Sequence, residues 1–440
     1  MMTHDAIEHR AHRLEGADQD YDVLMDRIGN ARLILLGEAS HGTHEFYRER
    51  ARITKRLVME RGFTAVAVEA DWPDAYRVHR FVSGRSKDRS AEQALGDFKR
   101  FPTWMWRNRD VEQFVAWLRA VNEPRPEREK VGFYGLDLYS LHASMEAVLG
   151  YLDRTDSEAA ARARMRYACF DHFGEDMQRY GYAAGFDLER GCEQEVIAQL
   201  TDLRRHAEEY LHRDGFVAED AFFYAEQNAR LVANAERYYR TMFTGRVASW
   251  NLRDTHMVET LDALLAHLSR RNQPQKVVVW EHNSHLGDAR ATQMSEAGEI
   301  NVGQLVRERY GTDAVLIGFT TYQGSVTAAS AWDGPTERKS VRPALPDSYE
   351  ALLHDAGIRQ FLLTWDEGGL REIFDRRRLE RAIGVIYLPD TERLSHYFYA
   401  QLPVQFDALV HCDLTRAVEP LDGSPSWTDE EPPETYPIGI

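Results

Sequence analysis

The chain has 440 residues, enough for one large domain or two ordinary ones, and either can bury a core that encloses an active site. With 43% hydrophobic, 28% charged and 11% aromatic residues, its composition excludes a largely disordered protein. A formal net charge of -17 excludes nucleic acid as a general partner, because binding to a phosphate backbone draws on clustered Lys and Arg.

The first thirty residues contain no apolar leader core, and no apolar run approaches the length of a membrane span. A cytoplasmic protein without a membrane partner is expected. From about residue 31 to 140, short apolar runs at Arg32 to Leu36, Thr64 to Val68 and Lys130 to Tyr134 alternate with amphipathic helical stretches. That alternation predicts βα units and a parallel sheet. From about 142 to 271 the text is helical throughout, including Asp220 to Met242. Strand-like runs return at Lys276 to Trp280, Ala314 to Phe319, Gln360 to Thr364, Ile383 to Leu388 and Phe406 to His411. The expected fold is therefore α/β, a mostly parallel central sheet flanked by helices. Residues 1–140 and 276–440 build the core, and a helical insertion at 141–275 covers the cleft. Within that insertion, the Asp220 to Met242 helix and Trp250 to Met257 are expected to form the roof. Glu419 to Ile440, rich in Pro and acidic residues, reads as an irregular tail. Cys169, Cys192 and Cys412 are odd in number, widely spaced and without a C-x-x-C pair, so buried free thiols are expected rather than a disulfide or a zinc cage.

Ligands of open parallel sheets sit beyond the carboxyl ends of the strands, so the residues after each run are informative. Glu38 and His41 follow the first, Glu69 and Asp71 the second, Asp137 the third, and Glu281, His282 and His285 the fourth. Such groups are costly to bury without partners, and four strand ends that carry them point to one shared polar cleft. The next segment, from His44 to Gly62, has Thr43 as a candidate N-cap and places Phe46, Arg50, Ile53 and Leu57 on one stripe. Arg50 is then the one charged residue on the core-facing side, and it calls for Glu38 or Glu69 as partner.

These residue types suit hydrolysis by activated water. A neutral histidine takes the proton, a carboxylate fixes its tautomer, and a second histidine or an arginine stabilises the oxyanion. No G-x-S-x-G, phosphate-binding loop, dinucleotide fingerprint or H-E-x-x-H occurs. Ser40 is a weak nucleophile candidate. His282 and His285, with Glu38, His41 and Glu69, leave a bound metal open.

The stretch LLGEASHGTHEFYRERARITKRLVMERGFTAVAVEADW closely resembles the G-E-x-[ST]-H-G signature of the erythromycin esterase family, and WNLRDTHM and VVWEHNSH resemble two later family blocks. The resemblance implies an α/β hydrolase, a macrolide esterase or a relative, that acts on a small-molecule ester or lactone. It makes His41 the general base and assigns Glu38, Arg50, Glu69, His282 and His285 to its catalytic group. Arg253 and His256 of the middle block, with Asp71 and Asp137 at the strand ends, are candidates to face the substrate. Glu281 departs from the small residue expected before His282. No cofactor is expected from this reading. The alternatives are a metal-dependent hydrolase and a non-enzymatic protein that holds haem, a metal or a metabolite in the same cleft.

Overall fold

The computed structural model describes residues 3–174, 177–186, 191–211, 216–243, 245–270, 272, 274–365 and 369–423. Its strands, in chain order, are β1 His12–Arg13, β2 Leu33–Leu36, β3 Ala65–Asp71, β4 Gly132–Asp137, β5 Val277–Trp280, β6 Ala314–Ala328, β7 Glu337–Val341, β8 Gln360–Thr364, β9 Arg378–Arg381, β10 Tyr397–Ala400 and β11 Ala408–Thr415. Nine of them form one sheet in the order β1-β8-β11-β6-β2-β5-β3-β4, with β7 paired to β6. The six strands from β11 to β4 run parallel, whereas β8, β1 and β7 are added antiparallel.

The central strands read as continuous apolar runs because both faces of the sheet are covered. In β2 all four residues are buried, and they alternate between two cores. Leu33 and Leu35 pack with the helices that follow β4, while Ile34 and Leu36 pack with the helices His44–Glu60, Trp72–Val82 and Arg109–Asn122. Among the described residues from 141 to 270, every regular element is a helix. The longest are Phe216–Met242 and Arg246–Arg270, and no helix is long and apolar enough to cross a membrane among the described residues.

Several expectations require correction. Ile383 to Leu388 is not a strand: Ile383 and Ile386 make only isolated bridges, to Ser40 and Ala329. β6 runs on to Ala328, where its polar second half pairs with β7. Gly324, at φ +144, lies where that extension begins its pairing and meets the backbone of Thr415. The hairpin of β9 and β10 was not visible as a pattern. Cys169 and Cys192 form a disulfide, and Cys412 alone is a buried free thiol. Packing of the helices between Ala168 and Arg205 brings together two cysteines that are 23 residues apart. Of the tail, Asp422 holds Arg107, and residues 424–440 lie outside the described residues.

Candidate active site

The turn after β2 carries the first group of site residues. Gly37 and Gly42 permit its close approach to neighbours, since a Cβ at Gly37 would collide with the Asn283 side chain and one at Gly42 with the backbone of Thr327. The Tyr47 hydroxyl donates to the carbonyl oxygens of His41 and Met105 at 2.7 and 2.8 Å, so the turn is tied to the helix that follows it. Thr43 takes the N-cap position, yet its hydroxyl contacts Ser40 Oγ instead of capping the helix. Ser40 is thereby committed to the turn.

Glu38 is fully buried and joins two groups. One carboxylate oxygen accepts from His41 Nδ1 at 2.9 Å, and the other pairs with Arg50 Nη2 at 2.6 Å. Since a carboxylate accepts only, it is Nδ1 that carries the proton of this contact, and Nε2 is the ring nitrogen it leaves free of Glu38. Arg50 lies over the rings of Tyr47 and Trp280, 4.4 and 5.0 Å from their centroids. It is not the one charge on the inner helix face: Glu45 and Glu49 are buried too. Glu49 is matched by the Tyr21 hydroxyl, Arg48 and Arg52, and Glu45 by Arg416.

A second group gathers where β3, β4 and β5 end. Glu69 accepts from Arg253 Nη2 at 2.7 Å and from the backbone N–H of His282 at 2.9 Å. Burial opposes its charge, but His285, His41, Arg253 and that N–H outweigh burial and hold its carboxyl well below the usual range. Arg253 also donates to both oxygens of Asp137, and its Nη1 lies 2.9 Å from His285 Nε2. His285 donates through Nδ1 to Asp254 at 2.9 Å and stacks on Trp250 at 4.5 Å. Burial disfavours charge on His285, yet Asp254 and then Glu69 outweigh it and raise its pKa. The His282 ring sits 4.8 Å from that of His41. Its Nδ1 accepts from Ser284 N–H, and burial, with His41 nearby, keeps it neutral. Glu281 is fully buried with no hydrogen-bond partner on its carboxyl among the described residues. Burial, then Glu69 and Asp254, keep it in the neutral acid form.

Both groups border one cavity of about 340 Å³. His41, Glu69, Asp71, Asp137, Arg253, His282 and His285 line it, whereas Glu38 and Arg50 stand behind His41. His256 does not line it: its ring lies between Asn234 and Thr260 in the helix packing. Trp250 and Arg253 bring the Arg246–Arg270 helix to the cavity, but among the described residues none of Phe216–Met242 lines it. That part of the expected roof therefore fails, because this helix packs behind, with Tyr224 stacked on Tyr76 and Tyr238 against Tyr139. Asp254, the partner of His285, was missed, although Trp250, Arg253, Asp254 and Met257 follow helical i, i+3, i+4, i+7 spacing. Also missed were Ser284, the loop residues Phe98 to Trp106, Trp332, and the stretch Ala382 to Val385. Among the described residues no three His, Cys, Asp or Glu side chains are grouped to hold a metal ion.

Comparison with known proteins gives this geometry a context. The family model described as Erythromycin esterase matches residues 58–415. Over 335 residues the chain is 23% identical to the erythromycin esterase type II of Escherichia coli, covering 73% of this chain and 77% of that protein. Its fold is similar to a crystal structure of a Bacillus cereus protein, with a TM-score of 0.78, 22% identity and coverage of 95% and 98% of the two chains. A mutant of the erythromycin esterase EreC in its open conformation matches at a TM-score of 0.64 and 17% identity, covering 91% and 94%.

Proposed function

The chain belongs to the erythromycin esterase family, and from that premise we propose that it hydrolyses a carboxylic ester or lactone with water activated by His41. The observation that supports this is the row Arg50–Glu38–His41, which ends on a cavity whose other wall holds Arg253 and His285. In this reading His41 Nε2 accepts a proton as water oxygen attacks the carbonyl carbon. Glu38, held by Arg50, stabilises the imidazolium that results.

Charge then moves to the carbonyl oxygen. Arg253, kept cationic by Asp137 and Glu69 against the pull of burial, is the group available to stabilise that oxyanion. Collapse of the tetrahedral species breaks the acyl C–O bond, and the imidazolium returns its proton to the leaving alkoxide. Glu69 orients Arg253 and His285, and Asp254 fixes the His285 ring. In this scheme no step requires a metal.

The test is turnover of a panel of activated esters and macrocyclic lactones by chelator-treated protein beside His41→Ala. Hydrolysis by the wild type that the variant lacks supports the mechanism. Equal turnover by both removes His41 from it, and activity that returns only with added metal favours a metal-dependent hydrolase.

A further inference from the structure

A second cavity has no part in this mechanism. The His44–Glu60 helix carries Glu45, Arg48, Glu49 and Arg52 at i, i+3, i+4 and i+7, so the four share one face, away from that of Arg50. With the sheet edge of β1, β8 and β11, that face borders a cavity of about 820 Å³. Arg13 comes to it from β1, Arg359 from the residue before β8, and Arg416 from the residue after β11.

The charges on its lining are unevenly matched. Five arginines, Arg13, Arg48, Arg52, Arg359 and Arg416, stand against three carboxylates, Glu15, Glu45 and Glu49. Glu49 is fully buried and already taken by Arg48 and Arg52 at 2.7 and 2.9 Å. Glu45 accepts from the backbone N–H and the Nε of Arg416 at 2.7 and 3.2 Å. Among the described residues the two terminal nitrogens of Arg416 have no acceptor, Arg359 has no side-chain hydrogen bond or ion pair, and Arg13 has Glu8 alone, at 3.8 Å. The lining thus holds two positive charges in excess, in a protein whose net charge is -17.

Guanidinium forks match the oxygens of a phosphate, two donors at a time. Leu14, Ile358 and Leu414 add an apolar wall beside them. No aromatic ring lines the cavity among the described residues, so a nucleobase would find nothing to stack on, whereas a short aliphatic group finds cover. We propose that this cavity is a binding site for the dianion of a small aliphatic phosphate monoester. Its phosphate oxygens take the free donors of Arg13, Arg359 and Arg416, and its carbon chain lies on Leu14 and Ile358. A phosphate monoester brings the two negative charges that the lining lacks. The site is separate from the cavity at His41 and does not depend on the hydrolase reading.

The experiment is calorimetric titration of the full chain at pH 8 and about 0.15 M salt with n-butyl phosphate, and with n-butanesulfonate as a singly charged ligand of the same shape. Wild type should bind the phosphate with a Kd of about 1 mM or tighter and the sulfonate at least about tenfold more weakly, in line with a charge-assisted contact. Arg13→Ser combined with Arg359→Ser should weaken the phosphate by about tenfold or more. Both side chains are exposed, so their removal leaves buried Glu49 with its partners, and Arg359→Gln alone serves if the double variant does not fold. Absence of binding to wild type refutes the site. Equal affinity for the two ligands overturns it in favour of general attraction to anions, and an affinity that survives in the variants places the ligand elsewhere.

Discussion

Two arginines serve one cavity by different routes. Arg50 is wholly enclosed, pairs among the described residues with Glu38 as its one carboxylate, and stands behind His41 through Glu38. Arg253 lines the cavity, spans Glu69 and Asp137, and touches His285. The first is built into a core and acts on a ring, so its loss is felt chiefly as instability. In the proposed mechanism the second stands where a reacting oxygen would come, so its loss is expected to be felt as rate. A buried charge and a lining charge of the same residue type thus separate positioning from contact.

The largest effect is expected at the point where the Arg50 row ends. His41→Ala should lower kcat by about 10³-fold or more, with the far-ultraviolet circular dichroism unchanged; a loss of fewer than ten would break the assignment. Arg50→Met should leave Glu38 unpaired in the core and destabilise the protein by about 3–5 kcal/mol, measured by urea denaturation. If stability held and only kcat fell, the contrast between the arginines would fail. The helix of Arg253 supplies a control in His256, which burial, opposed by Asp137, brings down to about 4. A histidine held neutral by the fold contributes stability above its unfolded pKa, near 6.5. That stability is lost as pH falls from there toward about 4, by about 3 kcal/mol. Wild type should show this loss in denaturation curves between pH 7 and pH 4, His256→Asn should lack it, and the variant's kcat should stay within about twofold, as for a site outside the cavity. Arg253→Lys keeps the charge and loses the fork. It should lower kcat by about 10- to 100-fold with little change in Tm, and a Tm fall as large as that of Arg50→Met would count against its role as a contact residue.

What could be read from the sequence was what lies close along it. Glu38, His41 and Arg50 share one turn and one helix, and their spacing was enough to narrow the partner of Arg50 to Glu38 or Glu69, of which the structure pairs it with Glu38. Strand ends placed Glu69, Asp137, His282 and His285 on a common lining because parallel strands carry their termini to one side. Asp254 was passed over for His256, since the search followed residue type and not the phase set by Trp250 and Arg253. Asp74, Arg100, Phe101, Trp332 and Val385 come from four separate stretches whose meeting no periodicity announces. The polar half of β6 and the bond between Cys169 and Cys192 were missed for a similar reason: pairing across the fold, not local preference, creates them.

The order of the sheet also governs how this protein comes into being. β2 lies between β5 and β6, so Ile34 finds its two neighbours at Val278 and Val315. During synthesis the four apolar residues of β2 leave the ribosome about 240 residues before either flanking strand exists. Until then, the turn that bears His41 has no sheet to stand on. Such long-range closure slows folding and exposes sticky intermediates, so a shortened chain that stops before β6 should emerge with an unfinished sheet and an open call on chaperones.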